Sequence, residues 1–286
     1  MIPLLTALVA MAAGMYAPAG ALAAAPSSQG VALRYDPPLG QTARYRVSLD
    51  VTGTQTSLGE RLPVRWKAQG ELREEVVAKG ADGSFWLRVT AGRMTVSEAN
   101  GAFASGMGTE WPEMRLHVSR TGEVLETAQV GAEGNKRARG GALGALMAQV
   151  VPVILASGPI EPGREWKVES GGSKQTNRLL SVEGTGDAQT AHISSTSRSP
   201  LALDEGIADL GLATQLSGEA RQTSKLELAV RTGLVRRHKG RTHLVTRSQV
   251  SLSLPEGAET FLMESDLTIA FDIRLQNADG KGLSAR

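Results

Sequence analysis

Apolar and polar residues alternate along most of the chain after residue 30, which is the pattern of β-strands with one buried and one wet face. The clearest runs are 45–51 and 267–275, where large apolar side chains occupy every second position. Clusters of Gly, Pro, Asp and Asn separate the runs, as turns do. The pattern predicts a mainly β protein.

Two short motifs recur in the second half of the chain. Arg120-Thr-Gly-Glu-Val124 returns as Arg231-Thr-Gly-Leu-Val235, each after an alternating run that predicts a strand entering a hairpin. Residues 40–47, which lead into a strand, are echoed by residues 163–168. The order of the echoes favours an internal repeat, and chance matching between glycine-rich β segments is the alternative.

From the echoes we predict two similar antiparallel β halves, residues 31–132 and 159–276. They form either paired half-barrels or one continuous curved sheet. A linking segment, 133–158, joins them. We expect the tail, 277–286, to be frayed.

One central helix is predicted within that linking segment, over residues 142–156. Its apolar side chains recur at spacings of three and four, the period of a helical stripe, although Pro152 should kink or shorten it. The stripe is the candidate apolar-ligand face, and a helix that simply covers the sheet core is the alternative. Its residues are Leu143, Leu146, Met147, Val150 and Ile154.

The first 25 residues form a separate unit. An apolar run ends at Ala21-Leu-Ala23, a small-x-small pattern typical of a secretory signal peptide, with residues 26–30 as a flexible leader. A membrane anchor is the alternative, but Gly14, Pro18 and Gly20 interrupt the run. We expect an exported protein, periplasmic or extracellular, that is not integral to the membrane after signal cleavage.

Composition excludes several classes of site. The 286 residues include no Cys, which rules out disulfides and thiolate metal sites, and 41% are hydrophobic, enough for a core. Net charge is only +2 and aromatic content is 4%, so the sequence predicts no nucleic-acid partner. No dinucleotide or phosphate-binding motif is present, and we expect no cofactor.

No catalytic or metal site can be assembled from the sequence. The four histidines, His117, His192, His238 and His243, lack ligand spacing and are expected to be solvated. Glu71, Glu74 and Glu75 are expected on a solvated strand edge, with Glu74 and Glu75 pointing apart. We therefore predict a protein that is not an enzyme, with a hydrolase whose site escapes recognition as the weakest alternative.

The densest basic stretch follows the second Arg-Thr-Gly motif. Arg236, Arg237, Lys239 and Arg241 form a candidate anionic contact patch for lipid head groups, cell-wall polymer or another envelope component. A solvated strand face is the simpler interpretation. No aromatic residues are interleaved with these cations, which disfavours stacking on single-stranded nucleic acid.

An exported chain with Gly40-x-x-x-x-Tyr45-x-Val47, with Pro159-Ile-Glu-Pro-Gly-Arg-Glu-Trp166 and with a strand feeding Arg231-Thr-Gly resembles bacterial exported and lipoprotein-like families of unknown function that have two β-rich halves. A more distant likeness is to periplasmic lipoprotein carriers, in which a curved sheet wraps a helix and holds acyl chains. The chain departs from lipoprotein members in having no lipobox Cys.

Two functional hypotheses of different classes follow. The first is a non-catalytic exported protein that binds lipid or another apolar ligand, such as an acyl chain, against a concave β surface. The second is a structural or interaction module of the cell envelope, which would use exposed strand edges or the basic patch to contact envelope proteins.

Overall fold

The computed structural model describes residues 30–57, 59–92, 95–98, 113–130, 153–170, 172–207, 212–254 and 257–279. They form a mainly β protein in which twelve strands make one antiparallel sheet that is not closed. The strands are β1 (Thr42–Ser57), β2 (Glu60–Lys79), β3 (Phe85–Ala91), β4 (Thr95–Glu98), β5 (Glu113–Val118), β6 (Val124–Val130), β7 (Glu165–Ser170), β8 (Ser173–Glu183), β9 (Thr190–Ile207), β10 (Leu212–Ala229), β11 (Val235–Leu254) and β12 (Gly257–Asp279).

Sequence order and sheet order differ at a single place along the main path. The strands run β6-β5-β3-β2-β1-β12-β11-β10-β9-β8-β7, with the short β4 paired to β2. Each half of the chain is therefore a meander, and pairing of the first long strand with the last joins the two meanders. The continuous curved sheet, one of the two predicted arrangements, is the observed one.

Burial alternates along the long strands as the sequence predicts. On β12, Leu267, Ile269, Phe271 and Ile273 are buried and their neighbours are more exposed. β1 presents Ala43, Tyr45, Val47 and Val51 to the same face. We call this face the inner face.

The inner face is strongly curved at one end, the base. The β5–β6 turn and the β10–β11 turn both bond the segment 31–37: Tyr35 N–H donates to Arg120 O (2.9 Å) and Asp36 N–H to Thr232 O (3.0 Å). Five strand spacings separate β5 from β11, about 24 Å in a flat sheet. Because adjacent residues reach both turns, the sheet must wrap around this segment.

Segment 153–160 completes the base and brings the sheet edges together. Leu155 N–H donates to Thr121 O at one edge, and Ile154 O accepts from Trp166 Nε1 (2.8 Å) at the other. Ser170 Oγ also donates to Glu123 Oε1 across the gap (3.1 Å). The sheet edges are thus linked through a buried strap and side chains rather than through paired edge strands.

The base has a continuous apolar core. Its members come from segments 31–37 and 153–160, the two straps, and from strands of both meanders. The largest include Tyr35, Tyr45, Phe85, Leu179 and Leu226. Burial of side chains of this size contributes about 1.5–3 kcal/mol each. Hydrophobic burial at the base therefore holds the two halves as one body.

The echoed motifs occupy corresponding turns. Gly40 and Gly163 both have positive φ and precede the first strand of a meander. Gly40 N–H donates to Val76 O and Gly163 N–H to Leu179 O, one strand further along in each case. Gly122 and Gly233 of the two Arg-Thr-Gly motifs likewise have positive φ, where glycine is favoured.

Two boundaries of the prediction need correction. The predicted helix lies mostly outside the described residues, but residues 153–156 are not helical: they form the extended strap, held by bonds to neighbouring strands. The predicted tail begins too early, because β12 pairs with β1 as far as Asp279. The signal peptide and nearly all of the leader lie outside the described residues.

Helical structure in the described part of the chain is limited to a short 3-10 turn, Gly186–Ala188. No helix there has the length and apolar character needed to cross a membrane.

Candidate functional site

Above the base, the inner face carries a second apolar group, the upper cluster. All its members are buried, and they lie on β1, β2 and β9 to β12. They are Val51, Val64, Leu201, Leu216, Ala220, Leu244, Leu267 and Ile269. Trp66 packs against both this cluster and the base core.

Between base and upper cluster, one side of the inner face is polar. Strand register places Asn177, Ser195 and Ser224 in one row across β8, β9 and β10. A second row, one step further from the base, holds Gln175, Ser197, Gln222 and Thr242. These seven residues are the polar wall, and none of them carries a formal charge.

The opposite side is apolar at the same two levels. The first row continues through Gly240 into Phe271, Leu49 and Ala68, and the second continues from Thr242 into Ile269, Val51 and Trp66. We call these six side chains the apolar wall. Alternation of single strands does not produce this asymmetry; it arises because β8 to β11 carry Ser, Thr, Asn and Gln where β12, β1 and β2 carry apolar residues.

Two atoms of the polar wall are buried without a hydrogen-bond partner, Asn177 Oδ1 and Ser224 Oγ. Asn177 is fully buried, and its Nδ2 donates to Ile154 O and Gln175 Oε1, both at 3.2 Å. Both partners are acceptors, so the amide orientation is fixed and Oδ1 must point away from them. Such unsatisfied groups cost about 1–3 kcal/mol each unless something completes them.

The base contains one buried carboxyl group. Burial raises the pKa of Glu74 to about 8, against the opposing effect of a hydrogen bond with Tyr45. Burial also raises the pKa values of Tyr45 and Tyr35, and the Tyr35 hydroxyl donates to Val153 O. Glu74 is therefore a neutral acid at pH 7.

A cavity of about 30 Å³ adjoins Glu74 and Gln41. Gln41 Oε1 has no protein partner, and a space of this size exceeds the roughly 10–15 Å³ that one water molecule needs. The cavity has room for water but not for a lipid chain. The base is a packed core.

The expectation that Glu74 lies on a solvated edge is wrong. Leu72, Glu74 and Val76 share one parity on β2, and all three face inward. Glu75 points outward and pairs with Arg88 Nη1 at 3.6 Å, so the prediction that the two carboxylates point apart is confirmed. Glu74 lies an even number of residues from Leu72 and Val76, so the alternation predicts that it faces inward. Its acidic side chain favoured a solvated position instead.

The expectation of a solvated histidine is also wrong for His238, which is fully buried beside Phe271. The cause is a bulge at Arg236: Leu228 pairs with Val235 and Glu227 with Arg237, which shifts the parity of β11. The other histidines are at least partly exposed; His117 stacks on Trp86, and His243 contacts Asp266. Across the described residues, no cluster of three or more His, Asp or Glu could hold a metal ion.

The residues of the predicted anionic patch lie on β11 but are not equivalent. Arg237 forms a two-bond pair with Asp272 (3.1 and 2.9 Å), which also binds Arg274. Partial burial opposes ionisation of Asp272, but hydrogen bonds from both arginines hold its pKa at about 2. Arg237 is thus engaged within the protein, and Arg236 lies at the bulge.

Lys239 and Arg241, by contrast, are exposed on the outer face. Lys225 of β10 lies directly opposite Lys239. None of these three cations has a carboxylate within ion-pair distance among the described residues.

The predicted apolar-ligand face can be followed only at its end. Leu143, Leu146, Met147 and Val150 lie outside the described residues. Ile154 is half-buried in the strap, where its backbone N–H donates to Gln175 Oε1. The sequence did not single out the upper cluster or the polar wall, because neither is contiguous in the chain.

Comparison with known families and with curated proteins gives no match. Among solved structures, lipovitellin, in a study of its lipid–protein interactions, matches with 10% identity and a TM-score of 0.39, over 87% of this chain and 26% of that one. A DUF1329 family protein from Desulfovibrio piger matches with 10% identity and a TM-score of 0.14, over 86% and 88% of the chains.

An outer membrane channel from Pseudomonas putida F1 matches with 10% identity and a TM-score of 0.22, over 88% of this chain and all of that one (100%). Each of these TM-scores lies below 0.5, so the likenesses carry no conclusion about function.

Proposed function

We propose that the protein is an exported, non-catalytic binding protein that holds an apolar chain, such as an acyl chain, against the upper cluster. One observation supports this most: eight buried apolar side chains line the inner face of six strands at the outer row of the polar wall and beyond it, in a cluster distinct from the base core. In the structure these side chains pack against one another. An apolar chain that lies along them would keep the same surface away from water.

Beyond the base, the inner face is long enough for one hydrocarbon chain. From Ile269, in the upper cluster, to Met263, which is buried on the inner face beyond it, six residue steps of β12 span about 20 Å. One leaflet of a bilayer, half of its hydrocarbon core, is about 15 Å thick. A single acyl chain therefore has a length that this stretch of the inner face can cover.

Location and chemistry fit the same role. The predicted signal peptide, residues 1–25, supports export to the periplasm or the outside of the cell, where a carrier or sequestering protein for water-insoluble chains has a use. The resemblance to exported families with two β-rich halves points the same way. The neutral Glu74 lies in the packed base and has no recognisable catalytic partner there, which supports a binding role over an enzymatic one.

The test is native mass spectrometry of the mature protein purified from its own host, with lipid extraction of the same sample. We expect a bound mass that chloroform–methanol removes. The matched variants are Leu244→Ser on the upper cluster and Val245→Ser, its exposed outward neighbour on the same strand.

Leu244→Ser should lose the bound mass while far-ultraviolet circular dichroism stays that of a β protein, and Val245→Ser should keep it. Ligand-free wild-type protein that also fails to take up added fatty acid would refute the proposal.

A second candidate function uses the outer face. Lys225 and Lys239 are like charges placed directly opposite each other, with Arg241 beside them, and such a pair is unfavourable. Asp272 lies opposite Lys239 on β12, but it is bound by Arg237 and Arg274. We infer that this group is a contact point for an anionic envelope component, as the second sequence hypothesis holds.

Flotation with vesicles containing phosphatidylglycerol tests the second function. We expect association that falls as salt is raised from 50 to 500 mM and that Lys225→Glu with Lys239→Glu abolishes. Lys167→Glu with Lys174→Glu, two exposed lysines on β7 and β8, is the charge-matched control. Equal flotation of the double variant and wild type would exclude the outer face as the contact.

A further inference from the structure

We propose that the polar wall is a recognition site for the uncharged, hydroxyl-bearing head group of an amphiphile whose chain lies on the upper cluster. This inference rests on the proposed function and specifies its ligand class. It starts from the two unpartnered atoms, Asn177 Oδ1 and Ser224 Oγ, both on side chains that are more than nine-tenths buried.

The unpartnered atoms define what the ligand must offer. Asn177 Oδ1 can only accept a hydrogen bond, whereas Ser224 Oγ can both donate and accept. A carboxylate or phosphate oxygen offers no proton to Asn177. A hydroxyl group satisfies either atom, because it donates and accepts at once.

Charge narrows the choice further. The polar wall consists of Ser, Thr, Asn and Gln, with no carboxylate to balance an ammonium group and no cation to balance a phosphate. Burying an unpaired charge is far more costly than burying a hydroxyl that finds a partner. The wall therefore favours a neutral head group.

Spacing indicates more than one hydroxyl. Asn177 and Ser224 lie in one row with Ser195 between them, two strand spacings apart, or about 10 Å between backbones. One hydroxyl cannot reach both atoms. A polyol such as glycerol or a sugar, whose hydroxyls are several ångströms apart, can do so with help from Ser195.

The position of the wall matches an amphiphile rather than a free polyol. The wall faces the apolar wall at the same two levels and adjoins the upper cluster, since Ala220 pairs with Leu244 directly beyond the pair Gln222 and Thr242. A ligand that is polar at one end and apolar over the rest would meet matching surfaces along its whole length. A simple hydrocarbon would leave the unpartnered atoms unsatisfied.

The experiment compares two ligands with the same chain, 1-monopalmitoylglycerol and methyl palmitate, on delipidated full-length mature protein. Fluorescence of Trp66, which packs on the upper cluster, reports binding, with Trp66→Phe identifying its signal. We expect monopalmitoylglycerol to bind at least tenfold more tightly. One hydrogen bond is worth about three- to tenfold in affinity.

Ser224→Ala is the main variant, because Ser224 supports no other described group. It should reduce the preference for monopalmitoylglycerol about three- to tenfold and leave methyl palmitate unchanged. Asn177→Ala, which also removes the hydrogen bond to Ile154 O, should reduce this preference at least as much. Thr223→Ala, one residue away and exposed on the outer face, should change neither ligand.

The outcomes separate the inference from the proposed function. If both ligands bind equally, or if Ser224→Ala keeps the full preference, the polar wall is not a head-group site, although apolar binding stands. In that case the two atoms bind buried water only. If neither ligand binds, the proposed function fails and the inference fails with it.

Discussion

The base and the upper level of the inner face are built from the same strands, yet they satisfy their side chains differently. At the base, Tyr35 donates to Val153 O, Trp166 to Ile154 O and Ser170 to Glu123, so polar groups find partners within the chain. In the first row of the polar wall, Asn177 Oδ1 and Ser224 Oγ have none, although Asn177 Nδ2 donates to the same Ile154 O.

The base therefore stabilises the fold, whereas the upper level keeps polar groups that a ligand could bind. Unpartnered buried groups are rare in native proteins, and each requires an explanation. In the base one such atom is Gln41 Oε1, and the adjoining cavity has room for water. Further up, Asn177 Oδ1 and Ser224 Oγ lie in one row opposite the apolar wall, where Trp66 Nε1 is also unpartnered. Polar groups opposite an apolar surface are how an amphiphile site is arranged.

The largest expected effect concerns the glycines that allow the base to close. A Cβ at Gly233 would lie 2.4 Å from Arg34 O and 2.5 Å from Tyr35 Cα, whereas one at Gly163 would meet nothing within 4 Å. Both have positive φ. In urea unfolding, Gly163→Ala should cost about 1–2 kcal/mol of strain, and Gly233→Ala on the order of 4 kcal/mol or more.

Equal losses for the two variants would mean that segment 31–37 does not pack tightly under the β10–β11 turn. The base would then resemble the upper level rather than differ from it.

The next effect depends on pH. Folded Glu74 keeps its proton up to about pH 8, whereas the unfolded chain releases it near pH 4.5. The folded state binds more protons between these values, so stability falls as pH rises from about 4.5 to 8 and levels off above. The stability of Glu74→Gln, which is neutral throughout, should exceed that of wild type by a few kcal/mol at pH 9 and match it near pH 4.5.

Glu71→Gln is the control, because Glu71 is exposed on the outward face of the same strand. Urea titrations at pH 4.5, 7 and 9 give the comparison. If both variants follow wild type at every pH, Glu74 is hydrated and the base is not a closed core.

The sequence predicted the strands and turns but not the strap contacts. Alternation over 45–51 and 267–275 and the glycine turns are local signals with a fixed period, and β1, β12 and the hairpins at Gly122 and Gly233 follow them. Tyr35 lies in a segment without periodicity and Val153 lies in the stretch whose spacing predicts a helix, and they are 118 residues apart. Their contact depends on curvature, which no single strand encodes.

The candidate site was missed for two different reasons. After the bulge at Arg236, the even-numbered residues of β11 face inward instead of the odd-numbered ones. Alternation counted from Val235 therefore does not predict that His238, Thr242 and Leu244 are buried. The polar wall is assembled from alternate residues of β8, β9, β10 and β11, and each strand alone resembles a solvated surface strand. Only the register between strands shows that these side chains share the inner face.

A smaller effect should distinguish the two apolar regions directly. Leu226 belongs to the base core and Leu244 to the upper cluster, and both are fully buried on neighbouring strands. In delipidated protein, Leu226→Ala should cost about 3 kcal/mol. Leu244→Ala should cost less, about 2 kcal/mol, because on the proposed function an exchangeable ligand supplies part of its packing.

When lipid is added back, the difference in free energy of unfolding between wild type and Leu244→Ala should increase. The difference between wild type and Leu226→Ala should stay the same. Equal losses with and without lipid would place both residues in one ordinary core.

The smallest expected effect tests whether the outer face around Lys225 also carries groups without a partner in the protein. Lys225 faces Lys239, whereas Lys67 on β2 faces Asp50 on β1 and pairs with it at 3.6 Å. Lys225→Gln should slightly raise the urea midpoint at 20 mM salt by removing a like-charge contact, and Lys67→Gln should slightly lower it. Both changes should vanish at 1 M salt, where the screening length is about 3 Å.

If Lys225→Gln instead lowers the midpoint as Lys67→Gln does, Lys225 has a partner within the protein. The outer face would then be internally satisfied like the base, and the unmatched groups would be confined to the polar wall.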